Sequence, residues 1–249
     1  MNSNSRTGVN SPATEPDSLA DRRSISLQRE LERGYDRRFR ERAEYRTRVW
    51  ALLIRHYFHR FVPEDGVVLE LGCGWGEFIN QVRARRRIGM DLNPAAREHL
   101  DPGVTFLHQD SSTPWPVESD SLDTIFTSNF FEHLPEKAML SATLGEALRC
   151  LKPGGRLVSV GPNVRLLPGA YWDFWDHYIP LTEISLSEGL EIAGFRVEQA
   201  IARFLPYSMA HSRPLPLWMI GVYLALRPAW PLFGKQFLVV AVKPHETTM

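Results

Sequence analysis

The chain has little cysteine and no long hydrophobic run. Its 249 residues include only Cys73 and Cys150, too few for a disulfide framework or a multi-cysteine zinc site. A reducing, cytoplasmic compartment is therefore predicted. The longest apolar stretch, residues 215–226, is much shorter than the roughly 20 residues that cross a bilayer. The polar first 20 residues resemble neither a signal peptide nor a spanning helix.

Net charge is absent as well, because 29 Lys and Arg balance 29 Asp and Glu. The neutral total gives no reason to expect a nucleic-acid partner. The charge is unevenly divided, since residues 22–60 hold 12 Arg against five acidic residues, a net charge of +7. A solvated helix with salt bridges at three- and four-residue spacing is the favoured interpretation. Contact with an anionic lipid or with RNA is the alternative.

Strand and helix patterns alternate along most of the chain and predict one α/β domain. The fold class is a Rossmann-like, seven-stranded and mostly parallel sheet with helices on both faces. Strands are expected at residues 67–71, 87–92, 104–108, 122–128, 156–161, 195–204 and 237–242, and helices at 24–60, 77–86, 94–100, 136–151 and 185–193. We divide the chain into a disordered tail (1–21), an Arg-rich helical extension (22–62), the α/β domain (63–244, with an apolar insertion at about 205–235) and a tail (245–249).

Three glycines at alternate positions, Gly72, Gly74 and Gly76, follow the first buried strand. Glycine permits positive φ and lets a ligand approach the backbone closely. The end of a parallel strand is also where open α/β sheets bind nucleoside ligands. Glu77 stands where the dinucleotide fingerprint requires a further glycine, which argues against a pyrophosphate ligand.

Acidic residues recur near three successive strand ends, at Glu70, Asp91 and Asp110. A carboxylate at Asp91 can accept hydrogen bonds from ribose hydroxyls, and one at Asp110 from the exocyclic amine of a purine. The pattern favours a positively charged nucleoside ligand.

Five segments between residues 67 and 161, ELGCGWG, MDLN, HQDS, SNFFEHL and LKPGG, together resemble the class I S-adenosylmethionine-dependent methyltransferases. They are most similar to the ubiquinone/menaquinone-type (type 11) group. The resemblance implies a last strand that runs antiparallel and S-adenosyl-L-methionine as the methyl donor. It also implies glycines beneath the methionyl part, Asp91 at the ribose, Asp110 and Ser111 at the adenine and Asn129 beneath the sulfonium. The full set of expected donor contacts is Glu70, Gly72, Cys73, Gly74, Gly76, Asp91, Leu92, Asp110, Ser111 and Asn129.

His133 and His177 are the candidate catalytic residues, because a hydroxyl acceptor is helped by a general base. His133 follows the fourth strand, and His177 lies after the fifth with Asp173 and Asp176 nearby in sequence. The alternative for each is a structural, hydrogen-bonded histidine. The remaining histidines show no ligand spacing with carboxylates or cysteines, so no metal site is predicted.

Two segments bear on the acceptor. Residues 171–178 contain five aromatic residues, which suit a sugar, a planar ring or a lipid or anchor the loop in the core. The insertion at 205–235 is a lid, a part of the core or a contact with lipid headgroups. The predicted activity is O-methylation of a small-molecule, sugar or lipid-linked acceptor, in the cytoplasm or at the inner membrane face. A donor-binding partner protein without catalysis and an RNA methyltransferase are the alternatives, and the oligomeric state is left open.

Overall fold

The computed structural model describes residues 43–206 and 215–245, and all structural statements below concern these residues. Seven strands form one sheet in the order β3-β2-β1-β4-β5-β7-β6. Their bounds are β1 Val67–Leu71, β2 Arg86–Asp91, β3 Val104–His108, β4 Leu122–Ser128, β5 Leu151–Pro162, β6 Arg196–Leu205 and β7 Gln236–Val242. The N-terminal tail, residues 22–42 of the Arg-rich extension and residues 246–249 lie outside the described residues.

The first five strands are parallel, and β7 runs antiparallel between β5 and β6. Strands β1 and β4 lie in the middle, and their apolar, β-branched runs suit burial on both faces. The carboxyl ends of β1, β2, β3 and β4 therefore meet at one edge of the sheet. The Rossmann-like fold class and the antiparallel last strand are confirmed.

Helices cover both faces of this sheet. Helices α2 (Lys137–Cys150) and α3 (Glu183–Ile192) pack on one face through apolar residues such as Leu144 and Leu190. Helix α1 (Ala43–His56) packs on the other through Trp50 and Leu53. Helices α4 (Leu217–Ala225) and α5 (Trp230–Phe233) join α1 on that face. The described end of the Arg-rich extension is thus part of the core.

The helix predicted at residues 77–86 is not formed, and turns occupy its place. The Glu70 carboxylate accepts the Ile79 N–H at 3.0 Å, so this amide is not available to the carbonyl four residues back. Two α-type bonds survive, from the Asn80 N–H to the Gly76 carbonyl and from the Val82 N–H to the Phe78 carbonyl. The bond to the buried Glu70 carboxylate therefore interrupts the regular backbone hydrogen bonds of a helix at Ile79.

Other differences are smaller. Helix α3 begins two residues earlier than predicted because Thr182 caps it, in a capping box with Ser185. Within the region where a helix was expected at residues 24–60, α1 ends at His56. A 3-10 turn at Phe58–Phe61 follows it. The segment at 94–100 is a 3-10 turn at Pro94–His99.

The apolar insertion folds back onto the protein. The Tyr223 hydroxyl donates to the Phe204 carbonyl at 2.7 Å, and the Trp230 indole N–H donates to the Tyr223 carbonyl at 3.0 Å. The Tyr45 side chain of α1 bonds to the Leu215 backbone. Among the described residues no helix has both the length and the apolar character that crossing a membrane requires.

Candidate functional site

The three glycines after β1 form a tight backbone loop. Gly72, Gly74 and Gly76 have φ values of 65°, 47° and 70°, in the left-handed region where glycine is favoured. A Cβ at Gly72 would overlap the Phe130 ring, and one at Gly76 would lie 2.7 Å from Asn80 and Leu100 side-chain atoms. The loop therefore needs glycine for packing as well as for conformation.

Asp91, at the end of β2, ties this loop to the neighbouring strand. Its Oδ2 accepts the Gly74 N–H and its Oδ1 the Asn93 N–H, each at 2.8 Å. Burial raises the pKa of the Asp91 carboxyl. A carboxylate offers about four acceptor positions, so capacity for ligand hydroxyls remains beside these two bonds.

Glu70 is a buried carboxyl one residue before the end of β1. Its pKa lies well above the ordinary value because of burial and, next, repulsion from Glu77, with a smaller contribution from Asp91. The site thus brings the carboxyls of Glu70, Glu77 and Asp91 close together. A cationic ligand would stabilise their ionised forms.

Cys73 and Leu92 are two further residues expected to contact the donor. Cys73 is buried, its N–H donates to the Met90 carbonyl at 3.1 Å, and burial raises its thiol pKa well above the usual value. The Leu92 carbonyl lies 2.9 Å from His108 Nε2. Both residues follow the end of a strand, at the edge where Asp91 lies.

Asp110 and Ser111 follow β3. Asp110 Oδ1 accepts the Ser112 N–H and the Ser112 hydroxyl, at 2.8 and 2.7 Å. Ser111 is buried, with its hydroxyl 3.0 Å from that of Thr143 on α2. The Trp115 indole N–H donates to the Ser111 carbonyl at 2.8 Å. Ser111 is thus fixed in the interior by contacts with Thr143 and Trp115. Asp110 lies at the edge of the sheet, after the end of β3.

Asn129, directly after β4, has a φ of 50°, which asparagine tolerates better than most residues. Its N–H donates to the Val160 carbonyl at 2.9 Å, and its side-chain oxygen accepts from Gln236 at 2.7 Å. Gln236 begins β7, more than 100 positions later in the chain. No local sequence signal indicates this partner.

A buried ion pair attaches helix α1 to the glycine loop, and sequence reasoning did not find it. Arg46 Nη2 lies 2.6 Å from Glu77 Oε1, with both side chains at most 10% exposed. Burial raises the pKa of Glu77 although Arg46 opposes this. The Gln81 side chain adds a bond to the Thr47 carbonyl at 3.1 Å.

The two candidate catalytic histidines lie together. The ring centroids of His133 and His177 are 5.0 Å apart. His133 Nδ1 lies 2.8 Å from the Asp176 carbonyl oxygen and 3.4 Å from Asp176 Oδ2. The Glu132 carboxyl completes the group, and burial raises its pKa to about 7. We call Glu132, His133, Asp176 and His177 the histidine cluster.

Backbone bonds hold the two halves of the histidine cluster in register. The Tyr178 and Ile179 N–H groups donate to the Glu132 carbonyl at 2.8 and 3.2 Å. The chain contributes two acid–histidine dipeptides, Glu132-His133 and Asp176-His177. That repetition was a sequence signal for the cluster, but the separation of more than 40 residues concealed the contact.

This strand edge fits the chemistry of S-adenosyl-L-methionine, which presents an adenosine, a positive sulfonium and an amino-acid end. Acceptors for ribose and amine groups are available at Asp91 and Asp110, and the buried carboxyl of Glu70 suits positive charge. The positive-φ glycine loop permits close approach of a ligand to the backbone.

Comparison with known proteins agrees with this fit. The methyltransferase domain family model matches residues 42–200. A search of curated protein sequences finds no match. The family model is a general one, so membership of the ubiquinone/menaquinone-type group stays a prediction.

Solved structures share the fold. One is a chain from the complex of the Haloferax volcanii Trm112 methyltransferase activator with a methyltransferase, at TM-score 0.64 and 20% identity, covering 89% of this chain and 99% of that one. Another is an S-adenosylmethionine-dependent methyltransferase of Archaeoglobus fulgidus, with a TM-score of 0.58 and 22% identity. This match covers 78% of this chain and 92% of that one. A third is an S-adenosylmethionine-dependent methyltransferase of Methanosarcina mazei, with a TM-score of 0.55 and 19% identity. This match covers 76% of this chain and 97% of that one.

The matched segment includes all of α1, the glycine loop, the strand ends that carry Asp91 and Asp110, and both histidines. It covers well over half of the chain. The chain belongs to the methyltransferase domain family, and it is an enzyme whose methyl donor is S-adenosyl-L-methionine.

Proposed function

We propose that the protein methylates an oxygen atom of a small-molecule, sugar or lipid-linked acceptor, with His133 as the proton acceptor. The observation that carries this proposal is the contact of His133 Nδ1 with Asp176. A carbonyl oxygen can only accept, so Nδ1 is the protonated nitrogen of the neutral ring. The other nitrogen, Nε2, then holds the lone pair that a general base needs.

The donor supplies an activated methyl group bonded to a positive sulfur. The protein's own part is mainly to hold donor and acceptor in line. We assign the ribose to Asp91, the adenine to Asp110 and Ser111, and the methionyl part to the loop of Gly72, Gly74 and Gly76. Glu70, Cys73 and Leu92 complete the wall of the donor site, and Asn129 lies near the sulfonium.

His133 would take the acceptor hydroxyl proton as the new bond between oxygen and methyl carbon forms. Asp176 keeps the ring in one tautomer and would stabilise the imidazolium that results. His177, which is buried beside His133, is assigned to positioning rather than to proton transfer. Glu132 adds negative charge near both rings when it is ionised.

The exposed aromatic residues beside the histidine cluster support the acceptor class. Tyr171 is fully buried and anchors the loop through a hydrogen bond to the Ile179 carbonyl. Trp172, Tyr178 and above all Trp175, which is 88% exposed, remain at the surface. Flat apolar rings at the surface suit stacking on a sugar or contact with a lipid chain. Tyr171 is thus the candidate for the anchor of this loop, and the exposed aromatic residues are candidates for contact with the acceptor.

The first experiment is a methyl-transfer assay with radiolabelled S-adenosyl-L-methionine and host extracts separated into lipid, glycan, RNA and small-molecule fractions. We expect label in a glycan, lipid or small-molecule fraction, in an alkali-stable ether. Label confined to RNA would instead establish the RNA alternative. Binding of the donor without any labelled fraction would favour the non-catalytic alternative.

The second experiment replaces the proposed base. His133→Gln should lower kcat by about 100-fold or more, the usual contribution of a general base, while donor affinity stays unchanged. His59→Gln, at an exposed histidine outside the cluster, is the matched control. An unchanged kcat in His133→Gln would remove the proton-transfer role.

A further inference from the structure

Three residues of the histidine cluster also have the arrangement of a metal-binding site. Glu132, His133 and His177 each offer a ligand atom, and these atoms lie within 4.8 Å of one another. They come from the turn after β4 and from the loop after β5, which the two hydrogen bonds to the Glu132 carbonyl hold together. The fold therefore brings together the two segments that carry these ligands.

The donor types match a borderline transition metal. Two imidazoles and one carboxylate are the ligand set of catalytic zinc sites that keep one position open. Mg²⁺ and Ca²⁺ prefer sites made of oxygen alone. Cys73 and Cys150 are both buried and lie outside the cluster, so thiolates do not contribute.

The surroundings of the ligands are those of a metal site as well. Metal-bound histidines almost always give their second ring N–H to a carbonyl or a carboxylate. Asp176 offers both to His133 Nδ1, which leaves Nε2 for an ion. Glu132 is only 3% exposed, and a buried carboxyl is stabilised in its charged form when it coordinates a cation.

We infer that Glu132, His133 and His177 bind one divalent transition-metal ion of the zinc type. This inference concerns binding alone and goes beyond the proposed function, which uses no metal. The ion would occupy the His133 nitrogen that the proposed mechanism assigns to proton transfer.

The test is calorimetric titration of the full chain, stripped with chelator, with zinc chloride. We expect one ion per chain bound through the cluster and no comparable binding of magnesium chloride. His133→Gln and Glu132→Gln should each weaken zinc binding at least tenfold, the scale of effects seen even for outer-sphere partners. His59→Gln, the exposed control, should bind zinc as the unaltered protein does.

A thermal melt provides the second measurement. An ion that binds only the folded chain raises its melting temperature, so zinc should stabilise the unaltered protein and His59→Gln but not His133→Gln. His133 is partly exposed, at 26%, so its variant decides the matter if Glu132→Gln does not fold. Equal zinc affinity in the unaltered protein and folded His133→Gln would overturn the inference. Failure of the methyl-transfer assay would leave this binding result unaffected.

Discussion

At the scale of single residues, Asp91 has two functions that can be separated. It fixes the glycine loop through the Gly74 N–H, and we assign the donor's ribose to it. Asp91→Asn keeps the size of the side chain but removes the charge and two strong acceptor positions. We expect donor binding to weaken by about 1–3 kcal/mol, the cost of losing a hydrogen bond to a charged group.

Calorimetry with S-adenosyl-L-methionine measures this change, and a thermal melt reports whether the loop is disturbed. Glu98→Gln is the matched control, since Glu98 is an exposed acid in the 3-10 turn that follows β2. Unaltered donor affinity in a well-folded Asp91→Asn would take Asp91 out of the donor site.

The buried pair of Arg46 and Glu77 gives a second prediction at this scale. Removing one partner of a buried ion pair usually costs about 3–5 kcal/mol, because the other charge is left uncompensated, whereas replacing both by apolar residues is often neutral. Arg46→Met should therefore destabilise the protein by several kcal/mol on that scale, and Arg46→Met with Glu77→Met should recover most of the loss.

Urea unfolding of the single and double variants measures this coupling. Additive losses in the double variant would mean that the pair does not act as a unit.

Sequence reasoning was strongest for residues whose role depends on local position. The positive φ of Gly72, Gly74 and Gly76 was predictable because strand, turn and spacing are neighbours in the chain. Arg46 with Glu77, and Asn129 with Gln236, were not predictable, because each contact depends on how distant segments pack. His133 and His177 were singled out separately, and only the fold shows that they touch.

At the scale of elements, the C-terminal turn of α2 positions the loop that follows Asp110. Glu146 accepts the Trp115 N–H at 2.7 Å, and Arg149 donates to the Trp115 and Val117 carbonyls. The two side chains also bond each other. The hydrogen bond from Arg149 lowers the pKa of the Glu146 carboxyl. This pair therefore links α2 to the segment assigned to the adenine.

Glu146→Gln should lower the free energy of unfolding at pH 7 by about 1 kcal/mol. Because the folded pKa of Glu146 is depressed, its contribution is present above the unfolded value of about 4.3 and is lost as the pH falls through the folded value. The difference between the variant and the unaltered protein should thus shrink below about pH 4.

Urea unfolding at several pH values between 7 and 3 checks this, with Glu118→Gln, an exposed acid in the same loop, as control. A difference that stays constant to pH 3 would contradict the ionic origin of the effect.

Element boundaries show which signals are reliable. Strands β1, β3 and β4 begin and end where predicted, because short apolar, β-branched runs between turns have few other solutions. The helix expected at residues 77–86 is not formed, although the spacing of its apolar residues is typical of a helix. The competing partner was Glu70, whose carboxylate takes the Ile79 N–H. A side chain buried in a strand can override helical periodicity, and periodicity alone does not reveal it.

At the scale of the whole molecule, the insertion leaves an apolar surface on the face that α1 covers. Trp218, Met219 and Val222 of α4 are exposed, as are Leu226, Leu232 and Phe233. Arg227 and Lys235 are exposed within the same insertion. Apolar residues flanked by basic ones are typical of contact with anionic lipid surfaces. The contact with lipid headgroups that the sequence predicts for the insertion would use this surface.

Deleting the insertion would not test this, because Leu224 and Trp230 are buried in the core. A surface variant is better: Trp218→Gln, Val222→Gln and Phe233→Gln together remove exposed groups only. Burying one such side chain contributes about 1.5–3 kcal/mol, so co-flotation with anionic vesicles should fall by tenfold or more. Ile184→Gln with Ile192→Gln, exposed apolar residues on α3, should float as the unaltered protein does. Equal flotation of the unaltered protein, the triple variant and the double variant would exclude this surface as the membrane contact.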